Sequence, residues 1–228
     1  MILRGGNTLY GTDRKKVKDS SFEAFYRACK AAKMPCGVYY YSCATNKQEG
    51  IAEAEFLYQQ CLIGKQFEYP IYIDVENDRW QRRDKKSVTD AIIGFCSFLE
   101  AKGFYVGVYA AVSWFNTYIE TERLIKYTKW IARWSPIKPS FRFSGFDMWQ
   151  NSDNGIIGEY IVDTDIAYKD FPTIMRQVGK NGYKTIQQIA VEVIKGEWGV
   201  GADRQHRIES AGYDYKTVQN KVNEILSK

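Results

Sequence analysis

The sequence predicts an α/β protein, an irregular β/α barrel followed by a small three-helix all-α module, and three observations predict it. Seven short runs rich in β-branched and aromatic residues alternate with longer segments whose apolar residues recur every three or four positions. The alternation persists over about 170 residues, which favours right-handed βαβ units curling into a TIM-like barrel over a doubly wound sheet. After Tyr168 the pattern becomes wholly helical, and the turn-like stretch from Gly179 to Gly182 marks a boundary near residue 180.

The strand candidates in order are MILRG at the start, CGVYYYS (36 to 42), YPIYIDVE (69 to 76), FYVGVYA (104 to 110), KWIARW (129 to 134), FDMWQ (146 to 150) and YIVDTDIA (160 to 167). Between them, residues 21 to 33, 47 to 62 and 85 to 102 read as covering helices, with Phe22, Phe25, Cys29 and Ile92, Phe95, Phe98 on their apolar stripes. The later strands are separated by less helix, so the barrel is irregular. In the terminal module, residues 185 to 195, 203 to 211 and 215 to 226 read as helices. Thr185 and Asp203 serve as caps there, and Gly196 and Gly212 as stops.

Composition narrows the function classes. With 45% apolar and 15% aromatic residues the chain can bury a core and still line a cleft with rings. A net charge of +5, spread rather than gathered in a tail, argues against a nucleic-acid partner and fits weak attraction to an anionic surface. The five cysteines include no C-x-x-C pair and the single histidine, His206, lies far from them, so no metal site is expected. The thiols read as free and buried, as in a protein made in the cytoplasm. No apolar run of membrane-spanning length occurs and the N-terminus shows no signal-peptide pattern, so membrane insertion is not expected. A G-x-S-x-G elbow and glycine-rich phosphate loops are absent.

One segment carries chemistry. In YPIYIDVEND, Asp74 and Glu76 stand two apart at the end of an apolar strand, so both point to one face, the lumen of a barrel. Barrel enzymes place their reacting groups at that end, and two carboxyls buried together push their proton affinities apart. Asp163 and Asp165 repeat the spacing in the last strand, which barrel closure brings beside the early ones. Tyr39, Tyr41, Tyr109, Trp134 and Trp149, with Gln150 adjacent, cluster at the same strand ends, where flat rings suit sugar faces; tyrosine and tryptophan are also ordinary core residues.

From Met1 to about Gly182 the chain resembles the glycoside hydrolase family 25 lysozymes of phage lysins. The likeness rests on ILRGG, MPCGVYYYSCAT, YPIYIDVEND, GVYAAVSWFNTYI, KWIARW, DMWQNSDNG and VDTDIAYKDFP in that order. It implies a muramidase that cuts the β-1,4 bond between N-acetylmuramic acid and N-acetylglucosamine of bacterial peptidoglycan. It further implies Glu76 as general acid, Asp74 as a group positioning or stabilising the sugar, Asp163 in the acidic cluster, and Tyr109, Trp149 and the tyrosines of VYYYS in the saccharide subsites. No metal or organic cofactor is implied, and the enzyme would act on the wall after release from the cell. Residues 184–228 are similar to the three-helix cell-wall-binding repeats of some phage lysozymes. Arg204 and Arg207 are candidates there for peptide carboxylates, or are plain helix-surface arginines.

Family members begin with a strand carrying a G-I-D-x-S segment, and this chain starts at what resembles the second strand. The expected domains are therefore residues 1–180, a barrel missing its first strand, and the module 184–228. Two open edges follow, which invite pairing with another chain, and with them either reduced muramidase activity or a function limited to binding peptidoglycan.

Overall fold

The computed structural model describes residues 1–10, 13–141, 143 and 145–227. In chain order the elements are β1 (Ile2–Thr8), β2 (Lys16–Lys18), α1 (Phe22–Ala31), β3 (Gly37–Tyr41), α2 (Lys47–Leu57), β4 (Ile71–Asp74), α3 (Lys85–Ala101), β5 (Val106–Ala111), α4 (Val112–Thr117) and β6 (Thr128–Ala132). The chain continues through β7 (Met148–Ile157), β8 (Tyr160–Ala167), α5 (Phe171–Val178), α6 (Ile186–Ile194), α7 (Gly201–Ser210) and α8 (Tyr215–Leu226). All seven strands expected from the sequence are present. The eighth, β2, is a three-residue strand antiparallel to β1 that carries no apolar pattern of its own.

The sheet order is β2-β1-β3-β4-β5-β6-β7-β8, curled into a half-barrel. From β1 through β3 to β7 every pairing is parallel, made by crossover connections between successive strands. The last pairing is antiparallel: β7 and β8 form a long hairpin turning at Gly158 and Glu159, and among the described strands the sheet stays open at β2 and β8, in keeping with the two open edges expected. Gly158, with φ +62°, stands first in that two-residue turn, where only glycine adopts the positive φ cheaply. Among the described strands β8 does not pair with β1; Met1 and Ile2 instead face Ile157 and Ile161 across a cavity.

The outer face of the sheet packs on α1 to α4 around Phe22, Tyr40, Ile73, Phe95 and Phe115, all fully buried. Two glycines let α2 and α3 touch backbone to backbone. A Cβ on Gly50 would lie 2.1 Å from the carbonyl oxygen of Ala91, and one on Gly94 would lie 2.3 Å from that of Lys47. The helix expected over residues 47 to 62 is α-helical only to Leu57 and ends in a π turn from Tyr58 to Leu62. All five cysteines are buried free thiols.

A second core joins α5 to α6, α7 and α8 through Phe171, Met175, Ile189, Val193, Ile208 and Val218, and Tyr69 and Tyr105 pack against it from the strand starts. The terminal helices therefore sit at the N-terminal end of the strands. Thr185 caps α6 in a full capping box with Gln188. Asp203 is not the cap of α7: that helix begins at Gly201, because Val200 is already extended, and Asp203 lies inside its first turn. Asp214 caps α8 instead, and Gly196 and Gly212 stop their helices with positive φ.

Candidate active site

Strand parity builds the concave face. The in-register neighbours Tyr41 and Asp74, Asp74 and Tyr109, Tyr109 and Trp130, and Gln150 and Asp165 stand side by side across β3 to β8. A layer of Tyr72, Tyr109, Trp130 and Met148 floors this face, and the tyrosine at 72 has room only because residue 107 is glycine: a Cβ there would sit 2.5 Å from its ring. Above the floor, at the C-terminal strand ends, opens a cavity of about 760 Å³ lined by Tyr39, Asp74, Glu76, Tyr109, Gln150, Asp163 and Asp165. A smaller one of about 300 Å³ continues past Tyr41 to Tyr10 and Arg4.

Asp74 and Glu76 share this cleft in different settings. Asp74 is 3% exposed, its Oδ1 has no hydrogen-bond partner among the described residues, and burial with the neighbouring Glu76 pushes its carboxyl well above the usual range, against a smaller pull from Arg4. Glu76, just past the end of β4, is open to solvent at the rim; partial desolvation and the charge of Asp163 also raise it. Asp163 is raised by burial and by Asp153. Asp165 rises to about 6, through burial opposed by the Trp130 indole, which donates to its Oδ1 at 2.7 Å.

The polar side chains form a chain. Tyr109 donates to Gln150 Oε1 at 2.9 Å, Gln150 Nε2 donates to Asp163 Oδ2 at 3.1 Å, and the exposed Trp134 indole donates to Gln150 at 3.3 Å. Tyr39, Tyr41, Tyr109, Gln150 and the four acids Asp74, Glu76, Asp163 and Asp165 therefore come together, with Trp134 at their edge. Trp149 does not join them. It is 3% exposed on the helix-covered face, where its indole donates to the carbonyl of Arg133 at 2.8 Å. Adjacent residues of a strand face opposite ways, so Met148 and Gln150 facing the cleft put Trp149 behind it.

Trp130 and Arg4 belong to the site and were missed by sequence reasoning. Parity from Ala132 and the register with Tyr109 could have found Trp130; Arg4 carries no comparable signal. Arg204 and Arg207 are on α7, far from the cleft in sequence. Each donates to a backbone carbonyl of the preceding loop, Gly199 and Glu197, at 3.0 Å, and Arg207 also lies 5.9 Å from the Trp198 ring.

Among the described residues no group of three or more His, Cys, Asp or Glu side chains is arranged so that it could hold a metal ion. Nor is any helix long and apolar enough to cross a membrane.

Comparison with known proteins agrees with this architecture. The lysozyme of Streptococcus phage Cp-7 is 26% identical over 231 residues, covering 94% of this chain and 64% of its own length. The chain thus spans less than two thirds of that relative. Among solved structures, the CTP1L endolysin superposes with a TM-score of 0.64 at 18% identity, covering 100% of this chain and 90% of that one. The bacterial lysozyme of Streptomyces coelicolor gives 0.61 at 21% identity, with 74% and 79% covered. The spore cortex lytic enzyme SleM of Clostridium perfringens gives 0.62 at 19%, with 73% and 59% covered. Residues 187–226 match the model of the CW_7 repeat. Residues 9–160, two thirds of the chain, match the model of glycosyl hydrolases family 25, and the chain belongs to that family.

Proposed function

We propose that the chain is a peptidoglycan hydrolase of the muramidase type, which cleaves the β-1,4 bond between N-acetylmuramic acid and N-acetylglucosamine with Glu76 as general acid. One observation carries the reading: two carboxyls at the end of one strand, both raised by their surroundings, open onto a cleft of tyrosine, tryptophan and a second acidic pair. Glycoside hydrolysis needs one protonated carboxyl to give a proton to the departing oxygen, and negative charge to stabilise the sugar cation that develops. Glu76, raised and open at the rim, suits the first task. Asp163 and Asp165, oriented by Gln150 and Trp130, suit the second, and Asp74, buried beside Glu76, positions or stabilises the reacting sugar. The rings of Tyr39, Tyr41 and Tyr109 supply the flat faces on which sugars stack.

In this reading residues 1–180 cut and residues 184–228 hold the wall. Arg204 and Arg207 stiffen the loop before α7, and their remaining N–H groups face muropeptide carboxylates. The unpaired outer edges of β2 and β8 support pairing with a second chain.

Dye release from labelled, purified walls tests the function. Glu76→Gln should bind walls as the wild type does and release dye at least about 100-fold more slowly, the usual contribution of a general acid. Wild-type release should also fall as pH rises through the elevated Glu76 pKa, because only the protonated acid works. Attachment without release by either protein would mean a chain that only binds peptidoglycan.

A further inference from the structure

Next to the acidic cleft lies a groove of opposite character. It encloses about 780 Å³ and is lined by Tyr10, Arg14, Thr45, Asp78, Arg82 and Arg83, so three arginines face one aspartate. Tyr10 lines both this groove and the small cavity that holds Asp74 and Glu76, and its hydroxyl meets that of Tyr41 at 2.5 Å. The two sites are therefore contiguous across a pair of tyrosines.

The arginines are displayed on a fixed base. Arg82 ends, and Arg83 follows, a short 3-10 turn whose Trp80 is fully buried and packs on Trp114. The Arg83 amide bonds to the carbonyl of Trp80 at 3.0 Å, and Asp84 next to it caps α3 by accepting from the Ser87 amide at 2.8 Å. Both side chains are exposed and neither has an ion-pair partner among the described residues. Arg14 is held from the far wall by Glu49 and by Thr45.

We propose that this groove receives the carboxylates of the peptide stem carried by the glycan, and so selects the charge state of the substrate; this deepens the muramidase reading and rests on it. The sugar backbone is neutral and can lie along Asp74, Glu76, Asp163 and Asp165, whereas an anionic branch cannot. It must leave the acidic cleft, and the route past Tyr10 and Tyr41 leads it onto guanidinium groups whose paired N–H donors match a carboxylate. Phosphate of an anionic wall polymer would meet the same donors. The stem peptide is favoured because it is covalently part of the chain lying in the cleft, which makes its capture intramolecular.

The test uses soluble synthetic tetrasaccharides of alternating N-acetylglucosamine and N-acetylmuramic acid whose stem dipeptides end in free carboxylates or in carboxamides. For the wild-type chain, kcat/KM should favour the carboxylate form about tenfold at low salt, the ratio that one charge-assisted contact sustains. That ratio should fall towards one on raising salt from about 0.05 to about 0.5 M, where screening shortens from beyond to below the reach of the groove. It should collapse in Arg82→Gln/Arg83→Gln and invert in Arg82→Glu/Arg83→Glu, with the melting temperature confirming that the variants fold. Cleavage of both substrates with a ratio that the variants do not move would overturn the proposal. So would a ratio of one in the wild type together with competition by poly(glycerol phosphate) that the glutamate variant abolishes, since the groove would then serve phosphate. If the wild type cleaves neither substrate, the muramidase reading fails instead. Calorimetric binding of both substrates to the wild type and the glutamine variant then decides whether the groove discriminates carboxylate from carboxamide.

Discussion

At Asp74 the demands of chemistry and of folding oppose each other, because burial and the nearby Glu76 both penalise its ionised form while Oδ1 has no partner among the described residues. The folded-state pKa lies above the unfolded one, so the group's contribution to stability is full below the ordinary carboxylate range and is lost as pH rises through the folded value. Asp74→Asn removes that penalty. Its melting temperature should match the wild type near pH 4 and exceed it at pH 8, by about 2–4 °C for each kcal/mol relieved in a chain of this size. Wall hydrolysis should meanwhile drop. A constant difference in melting temperature across that pH range would sink the argument. Asp74 and Glu76 were legible in the sequence because two acids at even spacing after Ile71 and Ile73 have few other reasons to be there. Trp149 departs from the expectation by strand parity: residues 149 and 150 cannot both face the cleft, whereas Trp130, which does face it, has the same parity as Trp134.

Among the elements, the parallel strands and their covering helices followed from apolar periodicity, whereas four features did not. The long β7–β8 hairpin was cut short at Gln150 because SDNGIIGE is polar and glycine-rich, and it is held by pairing with β8 more than by side-chain burial. Strand β2 has no alternation to detect, and the helix contact at Gly50 and Gly94 depends on the two approaching each other. Asn181 belongs to the same class. It resembles an ordinary turn residue, yet it is fully buried with φ +56°, its Nδ2 donates to the Tyr69 carbonyl at 2.8 Å, and its Oδ1 accepts from the Tyr105 amide at 2.7 Å. It thus closes the starts of β4 and β5, groups that no other strand reaches. Asn181→Ala forfeits both bonds and forces a Cβ into the left-handed region without the compensation asparagine has, costing about 3–5 kcal/mol in urea titrations. Asn181→Gly relieves only the backbone part and should recover about 1–2 kcal/mol of that. Equal losses for the two would mean that the backbone conformation plays no part.

At the scale of the molecule, the turn at Gly179 to Gly182 is not a loose tether. Gln66 donates to the Gly182 carbonyl at 3.2 Å, the Asn181 amide bonds to Gly103, and Tyr183 reaches Glu68 at 2.6 Å. Composition marked the change of pattern there and could not show that the segment is fastened, since its partners lie far earlier in the chain, Gln66 and Glu68 by 116 and 115 residues. Glu68 is the hub: besides Tyr183 it accepts from Lys30 at 2.6 Å and from the Cys36 amide at 2.9 Å, tying α1, the start of β3 and the terminal helices together. Burial alone would raise its carboxyl, but the bonds from Lys30, Tyr183 and Cys36 outweigh burial and hold it below the usual value. For a depressed pKa the stabilisation is full above the unfolded value and disappears as pH falls through the folded one. Glu68→Gln keeps the shape and removes the charge, so it should cost about 2 kcal/mol at pH 7, in the range of hydrogen bonds to a charged group. The gap to the wild type should close as pH falls below about 4, and Tyr183→Phe, which leaves the Lys30 pair intact, should lose less than Glu68→Gln at pH 7. Because the terminal helices share their core with Phe171, Tyr69 and Tyr105, both variants should still unfold in a single calorimetric transition. A separate transition for the terminal helices in Glu68→Gln would show instead that this one carboxylate, rather than the shared apolar core, couples them to the barrel.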